Sequence, residues 1–124
     1  MKITYDNRIK NKNKDTVVSS ATCDDAISIL NQLDGKKHTL VLFENEDASQ
    51  MMVGGGPENF IITLLKDDNN LALRRGNANP ESVVEICAGG QFGDYPEYLS
   101  NTKETAAAAI ESFFQSKEGT LDWI

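Results

Sequence analysis

The sequence has few of the residues on which metal binding, nucleophilic catalysis and disulfide formation depend. It contains one histidine, His38, and two cysteines, Cys23 and Cys87, which lie far apart and form no CxxC pair. A catalytic histidine needs an aligned acid or nucleophile, and zinc needs several closely spaced Cys and His ligands. We therefore predict no metal, no cofactor and no enzymatic activity, with both cysteines as buried free thiols.

Long apolar segments are also missing. The longest apolar runs span only a few residues, too few to cross a membrane, and the first ten residues lack the apolar segment of a signal peptide. Hydrophobic residues make up 40% and charged residues 25% of the 124 residues, as in ordinary globular proteins. These features predict a single domain over residues 1–124, in the cytoplasm and without membrane contact.

Positive charge is scarce and unevenly distributed. The chain holds 12 basic and 19 acidic residues, a net charge of −7. Residues 1–14 contain five basic residues and a single acid, Asp6, so the rest of the chain carries a net charge of −11. Such a body repels nucleic acid and anionic membranes and attracts a basic protein surface. Excess acid also maintains solubility, so charge alone does not identify a partner.

Two amphipathic helices are predicted. The first begins at Thr22, since Asp25 three residues on completes a pattern typical of a helix N-terminus. The second begins near Asn101, with Glu104 three residues later, and Gly119 ends it. An apolar stripe follows helical spacing along this second helix: Ala106, Ala109, Ile110, Phe113 and Phe114. We expect the stripe to cover a sheet.

The remaining chain is rich in β-branched and apolar runs separated by short polar connections. Predicted strands cover residues 38–44, 50–54, 59–66, 71–75 and 82–87, with shorter strands near residues 3–5 and 16–19 and a C-terminal strand or docked tail. The connections are too short for parallel crossovers. The predicted fold class is therefore α+β, an antiparallel meander sheet of five or six strands with two amphipathic helices.

Three consecutive glycines and a proline, residues 54–57, lie between two of these strands. A phosphate-binding loop places its glycines between a strand and a helix and follows them with Lys and Ser or Thr. Here a β-branched run too short for a helix follows instead. We interpret the segment as a turn in which glycine allows positive φ and Pro57 fixes the exit of the chain.

A second glycine-rich segment, CAGGQFGDYPEYL, combines aromatic and acidic residues in a predicted loop. Aromatic anchors with a rim of carboxylates are typical of protein recognition, whereas the alternative is that the aromatics fold back onto the core. Clustered acids elsewhere match no calcium loop. Eight residues on connections are predicted to contact a partner: Glu44, Glu46, Asp47, Glu58, Phe92, Asp94, Tyr95 and Glu97.

The order of these features resembles immunity protein family 1 of bacterial polymorphic toxin and contact-dependent inhibition systems. The similarity runs from about residue 38 to the end and is carried by Gly54 to Pro57, Gly90, Gln91, Ala106, Phe113, Phe114 and Trp123. The segment between Gly119 and Trp123 is shorter than is usual for the family and lacks its proline.

The resemblance implies a cytosolic antitoxin that binds a cognate toxin domain, often a nucleic-acid deaminase and sometimes a nuclease, and has no chemistry of its own. The acidic body agrees with this, because it is suited to filling the basic substrate cleft of a nucleic-acid enzyme. We expect no direct contact with nucleic acid, and a monomer or weak dimer when free. Two alternatives stay open: a small hydrolase using clustered carboxylates, and a non-catalytic subunit that self-associates through a sheet edge or its tail.

Overall fold

The computed structural model describes residues 1–76 and 78–124. In chain order the elements are β1 (Lys2–Tyr5), β2 (Arg8–Ile9), β3 (Lys12–Asn13), β4 (Thr16–Val18), α1 (Cys23–Gln32), β5 (Leu40–Glu44), β6 (Gln50–Gly55), β7 (Phe60–Lys66), β8 (Asn69–Ala72), β9 (Val83–Ala88), β10 (Gln91–Pro96) and α2 (Lys103–Phe114). Six strands form one antiparallel sheet in the order β4-β1-β5-β6-β7-β8. The predicted α+β class is confirmed.

Both helices cover the same face of this sheet, which we call the inner face. Side chains alternate along each strand, so every second residue points toward the helices. Phe43 and Met51 lie directly opposite one another on β5 and β6 and are fully buried. From α2, Ile110 and Phe113 are 0% and 1% exposed, which confirms the predicted core stripe.

The start of α1 is as predicted, whereas that of α2 is shifted by one residue. Thr22 and Asp25 form a reciprocal capping box at α1. At α2 the cap is Thr102, whose hydroxyl accepts a hydrogen bond from the Thr105 amide at 3.2 Å. The predicted cap Asn101 is instead buried in extended backbone, where it exchanges two backbone hydrogen bonds with Phe60. Tertiary pairing therefore outweighs the capping preference of Asn101.

The end of α2 also differs from the prediction. The helix ends at Phe114, five residues before Gly119, and Ser116 takes the positive φ of +56° that reverses the chain. Gly119 lies in a short 3₁₀ turn, Glu118–Thr120. The C-terminal tail then pairs with the edge strand, since the Ala72 and Ile124 amides each donate to the other's carbonyl. The prediction of a docked tail is confirmed.

The segment near residue 83 is not part of the main sheet, so its assignment to the meander was wrong. It forms β9, which pairs with β10 in a separate hairpin closed by Gly89 and Gly90 at φ values of +63° and +76°. Two consecutive residues at positive φ give the tight turn that suits a hairpin. The aromatic and acidic segment predicted as a loop is therefore mostly strand β10.

This hairpin packs on the outer face of the sheet, where glycine makes room for it. A Cβ on Gly54 would lie 2.6 Å from the Cβ of Ala88, and one on Gly55 would lie 2.8 Å from Ile86 Cγ2. Gly55 and Gly56 also adopt positive φ, as predicted for the turn. Gly54 serves a purpose that was not predicted, because its missing side chain allows β9 to approach β6.

The helices are too short or too polar for a transmembrane role. Within the described residues, none combines the length and apolar character that crossing a bilayer requires.

Candidate functional site

The eight residues predicted to contact a partner fall into two regions. Glu44, Glu46 and Asp47 lie where β5 turns into β6, whereas Glu58 lies in the turn after β6. A strand rises about 3.3 Å per residue, so β6 separates these turns by roughly 17 Å. The other four residues lie on or directly after β10: Phe92, Asp94, Tyr95 and Glu97. The Phe92 side chain lines the same cleft as Glu58.

At the β5–β6 turn, two of the three predicted carboxylates already have partners within the protein. The Ser49 amide donates to Asp47 Oδ1 at 2.9 Å. The hydroxyl and the amide of Ser49 stabilise the ionised form and hold the pKa of Asp47 below its usual value. The Glu44 carboxylate lies 4.0 Å from the Lys2 ammonium. Of the three, Glu46 has neither an ion pair nor a side-chain hydrogen bond within the described part of the chain.

At the other end, β9 and β10 present an exposed surface, which we call the outer hairpin face. It carries Phe92 and Val83, which are 71% and 65% exposed and are the two most exposed large hydrophobic residues in the described ranges. Glu85 and Asp94 lie directly opposite one another on this face, and both are exposed. Like charges at directly opposed positions destabilise a hairpin, so this arrangement is a cost to the fold.

Tyr95 and Glu97 are placed differently from Phe92 and Asp94. Tyr95 points to the opposite side of β10 and, half-buried, lines an apolar cavity of about 250 Å³ against Met52 and Gly54 on the sheet. Glu97 begins the short 3₁₀ helix after β10, with its carboxylate 4.0 Å from an Arg75 guanidinium nitrogen. Phe92 and Asp94 are therefore the more accessible pair.

Two clefts of unlike charge adjoin the outer hairpin face. The first, of about 430 Å³, is the basic cleft. Its described lining residues include no carboxylate: Arg8, Lys10, Asn11, Gly35, Lys36, Cys87, Gly90 and Phe92. The second, of about 270 Å³, is the acidic cleft, and its ionisable lining residues are Asp34, Glu58, Glu85, Lys36 and Cys87. Phe92, Cys87, Gly35 and Lys36 belong to both, so the two clefts meet at these residues.

A buried carboxylate that was not predicted as a site residue holds the basic cleft together. Asp6 is 3% exposed, and its Oδ1 accepts hydrogen bonds from the Thr39 and Leu40 amides at 2.6 and 3.0 Å. Its Oδ2 accepts from Arg8 Nε at 2.7 Å and from the Thr39 hydroxyl, and that hydroxyl in turn accepts from the Gly90 amide. Asp6 thereby connects β1, the β2–β3 hairpin, the start of β5 and the tip of the β9–β10 hairpin.

The pKa values of two carboxyls reflect these structural roles. Burial opposes ionisation of Asp6, but hydrogen bonds from Thr39, Arg8 and Leu40 outweigh it, so the pKa of Asp6 is lowered. The pKa of Asp34 is also lowered. Burial opposes its ionisation, but hydrogen bonds from the backbone amides of later residues, including Lys36 and His38, outweigh the effect of burial. Asp34 thus organises the loop that supplies Gly35 and Lys36 to both clefts.

His38 and the two cysteines are the remaining side chains with reactive groups. His38 Nδ1 lies 2.7 Å from the Asp6 carbonyl oxygen, and its ring meets Tyr5 edge-on. Both cysteines are free thiols, as predicted, although Cys23 is only half-buried, and burial raises the pKa of each. In the described ranges, no three His, Cys, Asp or Glu side chains are grouped so as to hold a metal ion.

Compared with models of known protein families and with curated proteins, the sequence gives no match.

Proposed function

We propose that the protein is a cytoplasmic immunity protein that binds a cognate bacterial toxin domain and blocks it. The observation that carries this proposal is the outer hairpin face, where a largely exposed Phe92 stands beside Glu85 and Asp94, two carboxylates that form no ion pair with any residue that the structure describes. Aromatic side chains are typical anchors of protein interfaces, and carboxylates around them can match basic groups of a partner. The ordered motifs shared with immunity protein family 1 support the same conclusion.

The proposed mode of action is occlusion of a basic substrate cleft. A toxin that acts on nucleic acid, such as a deaminase or a nuclease, needs positive charge where phosphates bind. The net charge of −7 attracts such a surface and raises the rate of encounter, while aromatic contacts slow dissociation. The protein then inhibits by excluding the nucleic acid, with no catalytic step, no cofactor and no nucleic acid bound to itself.

A self-associating regulatory subunit is the second candidate function. The observation in its favour is the outer edge of β4, which pairs with no other strand within the described residues, and on which Val17 is 53% exposed. Open strand edges are surfaces through which sheets can join. Because β4 is only three residues long, its edge offers few backbone hydrogen bonds. We therefore rank this function second.

The test is neutralisation of the toxin encoded next to this protein. The product of the immediately preceding gene is expressed in bacteria with and without the protein, and survival is measured. We expect survival only with the protein, and a stable one-to-one complex of the two purified products. Equal killing in both cultures, with no complex, would overturn the proposal. A concentration-dependent dimer seen by sedimentation, without neutralisation, would favour the second candidate.

A further inference from the structure

The outer hairpin face is not uniformly acidic where it meets the rest of the molecule. Phe92 lines both the acidic cleft and the basic cleft. The acidic cleft contributes Glu58 and Glu85, and the basic cleft contributes Lys10. An aromatic side chain therefore stands at the boundary between negative and positive charge.

These charges are available to a partner because the fold does not pair them with each other. Within residues 1–76 and 78–124, neither Lys10 nor Lys36 forms an ion pair, and neither do Glu58, Glu85 and Asp94. Arg8, by contrast, is paired with the buried Asp6, and its guanidinium lies so close to Gly90 that a Cβ there would clash with it. Arg8 thus shapes the basic cleft, whereas Lys10 and Lys36 supply its free charge.

We propose that Phe92 and the two clefts form a single docking surface for a partner protein of matching, two-signed charge. This inference rests on the proposed function and names the surface that performs it. The partner presents an apolar pocket that receives Phe92, a basic side chain that enters the acidic cleft and an acidic side chain that faces Lys10. A buried aromatic anchor provides most of the affinity in such an interface, and the charges on either side provide its orientation.

Two signs of charge determine the orientation more strictly than one. A uniformly acidic surface attracts a basic cleft in many orientations, because every rotation still brings opposite charges together. Here a half-turn about Phe92 would bring the partner's acid toward Glu58 and Glu85 and its base toward Lys10. Like charges brought together in this way exclude the wrong arrangement. The opposed Glu85 and Asp94 are then retained for binding despite their cost to the hairpin.

The experiment measures the affinity of the purified toxin domain from the preceding gene for five variants. Lys10→Glu is the decisive one, since it makes the protein more acidic by two charges. A purely acidic decoy would bind a basic toxin more tightly after this change, whereas the two-signed surface binds it about fivefold more weakly. Lys12→Glu, with the same change in net charge on the same hairpin but outside both clefts, is the matched control and stays within twofold.

The other three variants test the anchor and the acidic side. Phe92→Ala weakens binding about tenfold or more, chiefly through faster dissociation. Glu85→Lys weakens it by a similar factor, whereas Glu111→Lys, the same reversal at an exposed position of α2 outside both clefts, stays within about twofold. Circular dichroism confirms that each variant is folded.

The outcomes separate this surface from the function on which it rests. If the wild-type protein neutralises the toxin but Phe92→Ala binds within twofold and Lys10→Glu binds more tightly, the surface is wrong and the function stands. If the wild-type protein forms no complex, both are overturned. If the free protein dimerises and Phe92→Ala does not, the surface binds a second copy of this protein. That result would also overturn this proposal.

Discussion

The two faces of the main sheet differ in how completely they are covered. The inner face lies under both helices, and the aromatic rings of Phe43, Phe60 and Phe113 there are at most 1% exposed. The outer face is covered in part by the β9–β10 hairpin, and Met52 and Leu65 there remain 37% and 40% exposed. The difference indicates that stability is concentrated on the inner face.

The largest expected effect is on the inner face. Phe113→Ala removes a fully buried ring and should lower the free energy of unfolding by about 4 kcal/mol, from lost burial and the cavity left behind. Urea denaturation followed by fluorescence or circular dichroism measures it. A loss below about 0.5 kcal/mol, typical of surface substitutions, would place this side of α2 in solvent and remove the contrast between the faces.

The next effect concerns Asp6, which connects the sheet to both hairpins. Asp6→Ala should cost about 3 kcal/mol, because it removes the carboxylate that pairs with Arg8 and accepts two buried amides. Denaturation at neutral pH measures this loss. Asp94→Ala, which removes an exposed carboxylate without such partners in the described chain, serves as the control and should change little.

Asp6 should also contribute to the dependence of stability on pH. Its pKa is lower in the folded state than the value of about 3.9 in an unfolded chain, so its ionised form stabilises the fold above about pH 4. This contribution is lost as the pH falls through the lowered folded pKa. Comparing stability at neutral and acidic pH should show a shallower loss for Asp6→Ala than for the wild type. Parallel curves would show that another carboxyl is responsible.

A smaller effect is expected where the hairpin meets the outer face. Gly54→Ala places a methyl group 2.6 Å from the Cβ of Ala88, so β9 must move away from β6. We expect a loss of about 2 kcal/mol from overpacking. Gly119→Ala has open space around the new methyl group and should stay within about 0.5 kcal/mol. Equal thermal or urea stabilities for the two variants would mean that the hairpin is not held against the sheet.

The smallest effect is expected on the outer hairpin face. Glu85→Lys replaces a pair of like charges with an opposite pair across from Asp94 and should raise stability by about 0.5 kcal/mol. The gain should shrink in high salt, since the pair is exposed. A loss of stability would show that Glu85 supports the fold, and would weaken the view that this face is kept for binding.

Local signals in the sequence predict the structure best. The capping box at Thr22 and Asp25 joins residues three apart, and the apolar stripe of α2 repeats every three or four residues, so the sequence predicts both. The pairing of β9 with β10 is not predicted, because a strand pattern does not say which strand will pair with it. The two consecutive glycines Gly89 and Gly90 are the one local signal of the hairpin turn.

The candidate site was predicted in part for the same reason. Phe92 and Glu58 were both singled out from the sequence, but the cleft that joins them brings together residues more than thirty positions apart. In the sequence, Asp6 stands out only as the single acid among the basic residues of the first fourteen positions, which does not predict its role. Its partners Thr39 and Leu40 lie on another strand, where no local pattern reveals them.

The acidic α+β class with two amphipathic helices follows from the sequence, because periodicity, charge and turn residues act over a few positions. Which carboxylates stay free and which become structural depends on how distant parts of the chain pack together. Asp6 is held by groups from distant strands, whereas Glu85 remains on an open face. Whether a charged group stabilises the fold or remains available to a partner depends on its surroundings and not on its identity.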